Sequence, residues 1–251
     1  IAIEKNVVVA GIGCSGNMVH LLEGDQPFGI HGVHGRTLPI AMGVKMSSPE
    51  LNVVVVAGDG DFLSIGLEHI GPQAGRNLNV CAVVMDNGVY GLTKGQSSPT
   101  SETGMITSST PYGKVEEKTN PLSLYLTLGV SYVASAMSSK VKALATTIVD
   151  AMEHPGFSIV HVQSPCTTYN DTYELLKGSV KKGIEPQAWA ISDDHDPSDI
   201  KAATELLNRG GIPLGLLYKD TTRPDFQSRI DSMTKISGSK STQELLDSLA
   251  I

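Results

Sequence analysis

The sequence predicts an α/β fold, a mostly parallel sheet with helices on both faces. Three observations predict it: the valine run Val53 to Val56 ends in Gly58-Asp59-Gly60-Asp61; a second apolar run, Val80 to Met85, follows one helix-length segment later; and a third, Phe157 to Val162, follows an amphipathic stretch. An uninterrupted run of β-branched residues suits a strand buried on both sides, which is the situation inside a parallel sheet. Strand, helix, strand in this order places both strand ends at one edge of the sheet.

At 251 residues and 40% hydrophobic content the chain can bury a substantial core. A net charge of −7 without a basic run argues against nucleic acid as a partner. No apolar run reaches the ~18–20 residues needed to span a bilayer, and no charged-then-apolar leader precedes the first strand, so neither membrane nor export is expected. Cys14, Cys81 and Cys166 are too few and too scattered for a secreted disulfide framework, which makes a reducing cytoplasm the default. The chain begins at Ile1 rather than Met, so residues upstream are expected.

Val7 to Ala10 reads as the first strand, left by the glycine-rich turn Gly11-Ile12-Gly13-Cys14-Ser15-Gly16. A lone GxGxxG is weak evidence for a dinucleotide, and here it lacks both the following amphipathic helix and the acidic residue of a nicotinamide site. Cys14 within it is the more informative residue, although the commoner fate of a free cysteine is to be a small buried filler. Next, Gly29-Ile30-His31-Gly32-Val33-His34-Gly35-Arg36 precedes a helix from Thr37 to Gly43 with Pro39 in its first turn. Two histidines and an arginine among glycines can aim donors at an anion, or can bond locally to backbone and a carboxylate.

In the central unit Ser64 is expected to cap a helix whose inner face carries Leu67, Ile70 and Ala74, ended by Gly75 and Asn77. The turn Asp86-Asn87-Gly88 then lies beside Gly58–Asp61. Asp59 and Asn87 offer hard oxygen ligands for Mg²⁺, and bare backbone at Gly58 and Gly60 lets phosphate approach amides and a helix N-terminus. Two ordinary strand-to-helix turns are the alternative. With Tyr90-Gly91-Leu92-Thr93 behind it, the spacing from Gly58-Asp59-Gly60 to Asn87 resembles the thiamine diphosphate motif of 2-oxoacid:ferredoxin oxidoreductase β subunits.

That resemblance carries specific implications. Gly13, Ser15, His31, His34, Gly58, Asp59, Gly60, Asp61, Asn87, Val89, Tyr90, Gly91, Leu92 and Thr93 would contact thiamine diphosphate, with Mg²⁺ on Asp59, Asn87 and Val89. The turn around Cys14 is similar to the family's GxGCSG, which supplies one thiolate of a four-iron four-sulfur cluster. Cys166, in Gln163-Ser164-Pro165-Cys166 after the third apolar run, matches the family's last ligand. Two thiolates do not complete such a cluster; Cys81 lies inside an apolar run and reads as core, and the family's CxxC segment would precede Ile1.

Beyond Thr93, Lys94-Gly95-Gln96 opens a Ser/Thr-rich loop, Ser97 to Thr110, expected to act as a lid. Its start is similar to the family's YGLTxGQ(x)SPT stretch; Lys94 is either a solvated lysine or the partner of a substrate carboxylate, and His34 the second candidate for a catalytic role. Pro121 to Leu128 reads as helix, Tyr132 to Ala134 as strand, and Val141, Leu144, Ala145, Ile148, Val149 and Met152 as one helix face ended by Pro155-Gly156. Lys177, Lys181 and Lys182 are either a solvated surface or a landing patch for an acidic carrier such as ferredoxin. Asp193-Asp194-His195-Asp196 reads as a polar turn before a helix, Ile200 to Leu207. Pro213 to Tyr218 is expected as a strand and Thr222 to Phe226 as an extended segment. The chain accordingly divides into a cofactor-binding unit, 1–190, and an extension, 191–251, packed on it or on a partner.

As a whole the resemblance implies thiamine diphosphate-dependent oxidative decarboxylation of a 2-oxoacid, 2-oxoglutarate or pyruvate, to acyl-CoA. Electrons would leave through the cluster to ferredoxin, and an α subunit would supply the aminopyrimidine glutamate within an (αβ)2 assembly. A non-oxidative thiamine diphosphate decarboxylase or synthase would use Asp59 and Asn87 without either cysteine, and a non-catalytic phosphate-binding module would need neither metal nor cofactor.

Overall fold

The valine-rich runs form the centre of one sheet in the computed structural model, which describes residues 2–22, 25, 27–238 and 240–249. β1 (Asn6–Ala10) is followed by a one-turn helix α1 (Met18–Leu21) and by β2 (Phe28–His31). α2 (Thr37–Ser47) leads into β3 (Asn52–Gly58), and α3 (Ile70–Arg76) into β4 (Val80–Asp86). A small hairpin, β5 (Val89–Tyr90) with β6 (Gln96–Ser97), stands beyond β4. After an irregular segment come α4 (Pro121–Thr127), β7 (Tyr132–Met137), α5 (Val141–Glu153) and β8 (Phe157–Gln163). The remainder adds α6 (Tyr173–Lys177), β9 (Ala188–Ala190), α7 (Ile200–Asn208), β10 (Ile212–Lys219), α8 (Phe226–Ser237) and α9 (Thr242–Leu249).

The sheet order is β2-β1-β3-β4-β8-β7-β10-β9. Its strands pair in parallel except where β10 meets β7. Because the chain runs from β1 outward to β2 and then returns to β3 on the other side, the order reverses between β1 and β3. In open α/β sheets the ligand crevice lies outside the carboxyl ends of such strands. Alternate valines face opposite layers: Val53, Val55, Val80 and Ala82 meet residues of α2, α3, α4 and α7, whereas Cys81, Val83, Val160 and Val162 meet α5. Cys81 is therefore core, and burial pushes its thiol up to about 12. Among the described residues no helix is long and apolar enough to cross a membrane.

Four local expectations are corrected. Gly29 to His31, read only as part of a glycine-rich segment ahead of a helix, is most of the edge strand β2, because pairing with β1 satisfies its backbone. Ser64 caps nothing: Asp61–Ile65 forms a single π turn and α3 starts only at Ile70, so Ile70 and Ala74 are buried while Leu67 stays exposed. The loop after Ser97 is anchored at its base, with Ser98, Thr100 and Ser101 buried. The extended segment after Thr222 ends at Asp225, which caps α8 through the Gln227 and Ser228 amides.

A buried histidine makes stability depend on pH. His154 Nε2 lies 2.8 Å from the Ser131 hydroxyl while Nδ1 has no partner. Burial, with Lys219 nearby, pushes its pKa down from 6.5 to about 4. The unfolded chain takes up this proton first, so the stability present above pH 6.5 is lost as pH falls toward about 4. Urea unfolding at pH 7 and at pH 5 is expected to differ less in His154→Gln than in the parent; an equal difference removes His154 as the cause.

Candidate functional site

The turns after β1, β3 and β4 meet at the sheet's carboxyl edge, as the parallel register requires: Gly58 pairs with Met85, and Asp86 with Gln163 of β8. They enclose a narrow cavity of about 80 Å³ lined by Gly13, Cys14, Ser15, His34, Gly58, Asp59, Gly60, Asp61, Asn87, Val89, Tyr90, Gly91, Leu92 and Thr93. Cys14, Ser15 and Asn87 also line a wider cleft of about 510 Å³, together with Cys166 and the apolar Met18, Leu21, Met85 and Pro165. Two sequence-predicted residues lie outside both linings. His31 Nδ1 is 2.9 Å from His20 Nε2, and Lys94 is exposed on the β5–β6 hairpin at a left-handed φ of 78°.

Asp61 ties three segments together. Its Oδ1 accepts from His34 Nδ1, from the Gly35 amide at 2.7 Å and from the Ile12 amide at 3.3 Å. The His34 ring is thus oriented by a buried carboxylate at the cavity wall. Asp61 Oδ2 is buried without a hydrogen-bond partner. Gly60 is required beside it, since a Cβ there would stand 2.3 Å from the Tyr90 ring, whose hydroxyl donates to the Gly60 carbonyl at 3.2 Å.

Asp59 is 1% exposed, and burial together with the Asp86 carboxylate pushes its pKa up to about 7. Its Oδ1 accepts from the Asn87 backbone amide at 3.4 Å, and Oδ2 from the Thr100 hydroxyl at 2.7 Å. The same hydroxyl lies 2.7 Å from Asp86 Oδ1. Burial would also raise Asp86, but the His161 imidazole, Thr100 and the Gly88 amide outweigh it and hold this carboxyl below the usual range. His161 Nε2 sits 3.0 Å from Asp86 Oδ2, and Nδ1 3.2 Å from the Tyr125 hydroxyl. Thr100, Asp86, His161 and Tyr125 were not singled out from the sequence. Asp86 stands next to Asn87 and Thr100 in the SPT stretch, but nothing in spacing brings His161 or Tyr125 here.

A buried carboxylate reluctant to ionise alone, beside the Asn87 turn and the bare backbone of Gly58 and Gly60, suits a divalent cation shared with a diphosphate. Mg²⁺ is commonly held by one or two carboxylates and completed by phosphate oxygens. Among the described residues no three His, Cys, Asp or Glu side chains cluster as a metal site, which such a set does not require. At Gly91 an added Cβ would lie 3.3 Å from Cys14 Sγ and 3.8 Å from Cys166 Sγ, so the two thiols flank one point of the hairpin. Cys81, within β4, does not join them.

Fold, cavity and family match together define a thiamine pyrophosphate-binding enzyme domain. Residues 11–162 match the family described as thiamine pyrophosphate enzyme, C-terminal TPP binding domain, and residues 166–235 match the C-terminal family of the pyruvate ferredoxin oxidoreductase beta subunit. The chain belongs to the 2-oxoacid:ferredoxin oxidoreductase β subunits. It is 37% identical over 234 residues to the 2-oxoacid:ferredoxin oxidoreductase subunit beta of Saccharolobus solfataricus, covering 90% of this chain and 76% of that one. It is 39% identical over 199 residues to 2-oxoglutarate synthase subunit KorB of Archaeoglobus fulgidus, covering 78% of this chain and 73% of that one. A solved 2-oxoglutarate:ferredoxin oxidoreductase from Magnetococcus marinus, with 2-oxoglutarate, coenzyme A and succinyl-CoA bound, superposes with a TM-score of 0.91 at 39% identity. The superposition covers 100% of this chain and 84% of that one.

Proposed function

We propose that this chain is the cofactor- and cluster-bearing subunit of an enzyme that oxidatively decarboxylates 2-oxoglutarate or pyruvate to the acyl-CoA and passes electrons to ferredoxin. The single observation that carries this reading is the meeting of Asp59 and Asn87 with the two thiols of Cys14 and Cys166 around one hairpin. Bound thiamine diphosphate supplies the electron sink that loss of CO₂ from a 2-oxoacid demands.

Asp59, Asn87 and the Val89 carbonyl would hold Mg²⁺, while Gly13, Ser15, Gly58 and Gly60 allow the diphosphate to approach. Asp61 fixes His34 against the cofactor, whereas His31, paired with His20, stands outside the cavity. Tyr90, Gly91, Leu92 and Thr93 close the wall, and Lys94 pairs with the substrate carboxylate. Cys14 and Cys166 contribute two thiolates to a four-iron four-sulfur cluster, the other two coming from outside the three cysteines of this chain. An α subunit supplies the aminopyrimidine glutamate in an (αβ)2 complex. Residues 1–190 carry these sites, and 191–251 form the extension. On the same reading the enzyme is cytoplasmic.

The test uses the assembled complex. In the Cys14→Ser/Cys166→Ser double variant, brown colour and ferredoxin reduction are expected to be lost while Mg²⁺-dependent thiamine diphosphate binding persists. Full ferredoxin reduction by that variant overturns the assignment of the cluster.

A further inference from the structure

Resting on the reading of Asp59 as a metal ligand, we infer that Thr100 is a positioning residue for the cofactor's metal. Its hydroxyl fixes the rotation of the Asp59 carboxylate so that Oδ1 remains on the Asn87 side. The assignment follows from how the two oxygens are shared. Oδ2 of this buried side chain accepts from the Thr100 hydroxyl at 2.7 Å, the shorter of its two contacts, and Oδ1 accepts from the Asn87 backbone amide at 3.4 Å. A carboxylate turning about its terminal torsion meets a broad, nearly two-fold barrier, so the neighbouring donor decides which oxygen faces the ligand.

Thr100 is itself held. Asp86 Oδ1, 2.7 Å away, is fixed by the Gly88 amide at 2.9 Å, and its other oxygen by His161. The backbone around Thr100 is clamped as well: the Ser101 hydroxyl donates to the Gly88 carbonyl at 2.5 Å and accepts from the Ser98 amide at 2.8 Å. Buried Lys114 reaches the Ser101 carbonyl at 3.1 Å, and the Thr119 amide bonds to the Pro99 carbonyl at 3.0 Å. The base of the loop expected as a lid is therefore part of the metal site's support, reaching back through Thr100 to the strand-end turns. Groups that hold a metal ligand in this way typically change metal affinity ~10–100-fold when removed.

The assembled complex carrying Thr100→Val, which keeps shape and loses the hydroxyl, is compared with Thr100→Ser, which keeps the hydroxyl. Mg²⁺ is titrated calorimetrically at saturating thiamine diphosphate, and the metal-free melting temperature is measured alongside. Thr100→Val is expected to weaken Mg²⁺ binding ~10–100-fold, with Thr100→Ser within about threefold of the parent. Should Thr100→Val fail to assemble, Thr100→Ala carries the same comparison. Parent-like Mg²⁺ affinity without the hydroxyl overturns the inference. So does equal weakening in Thr100→Ser, which would assign the effect to the methyl group and packing. If the parent itself shows no Mg²⁺-dependent binding, the metal site fails first and the positioning role falls with it.

Discussion

Asp59→Asn weakens Mg²⁺-dependent binding of thiamine diphosphate by about 100-fold or more. Removing one partner of a buried charge pair costs ~3–5 kcal/mol, and each ~1.4 kcal/mol is tenfold in affinity. The isosteric amide retains the shape, keeps an acceptor for the Asn87 backbone amide, turns the other oxygen into a donor toward Thr100, and removes the charge that a divalent ion needs. Without metal the variant is expected to melt no lower than the parent. Asp59 in the free site is buried beside the Asp86 carboxylate and resists ionisation, so its neutralisation removes a repulsion. Calorimetry with Mg²⁺ and thiamine diphosphate, paired with thermal unfolding, separates loss of a ligand from loss of the fold. Unchanged Mg²⁺-dependent affinity would end the assignment of Asp59 as ligand.

Asn77→Ala lowers the stability of the fold by ~3–5 kcal/mol, which for a domain of this size is a fall of roughly 10 °C in melting temperature. Asn77 is fully buried and left-handed, with φ 53°, at the end of α3. Alanine there meets a penalty of ~1–2 kcal/mol that asparagine is better able to bear. Asn77 Oδ1 also accepts from the Phe157 amide at 3.0 Å and lies 2.6 Å from the Ser131 hydroxyl, while Nδ2 reaches the carbonyls of Arg223 and Pro224. Its loss removes the acceptor of the buried Phe157 amide and a donor to the carbonyls of Arg223 and Pro224, whereas the Ser131 hydroxyl keeps His154 and the Phe157 carbonyl. Asn77→Gly keeps the backbone and removes the side chain, and is expected to lose less than alanine but still several degrees. A glycine variant melting with the parent would assign the whole effect to the backbone.

Much of the site was legible because it sits in turns whose residue types serve few purposes away from a ligand. Asp59 and Asn87 could be paired across the chain once Val53 to Val56 and Val80 to Met85 were recognised as neighbouring parallel strands, since parallel pairing aligns their ends. Cys81 could be set aside for the same reason: a residue within a run buried on both faces has no route to the edge. Illegible were the contacts that depend on register and on packing of distant elements. His161 lies inside β8 in an apolar run, and only the pairing of β4 with β8 brings its ring to the Asp86 carboxyl at the end of β4. Thr100 sits in a segment without periodicity, and its burial follows from hydrogen bonds that no local pattern announces.

The strands β1, β3, β4, β7, β8 and β10, the glycine turns at their ends and the chemical character of the cavity wall were legible in the sequence alone, because apolar runs and glycine punctuation act locally. Only the tertiary structure decided that Phe28–His31 is an edge strand, that Asp61 locks His34 instead of standing free, and that the loop after Ser97 is anchored at its base. Each of those outcomes turns on which buried donor finds which acceptor. Such choices are settled by three-dimensional proximity, since an unmet polar group in the interior costs more than any local propensity contributes.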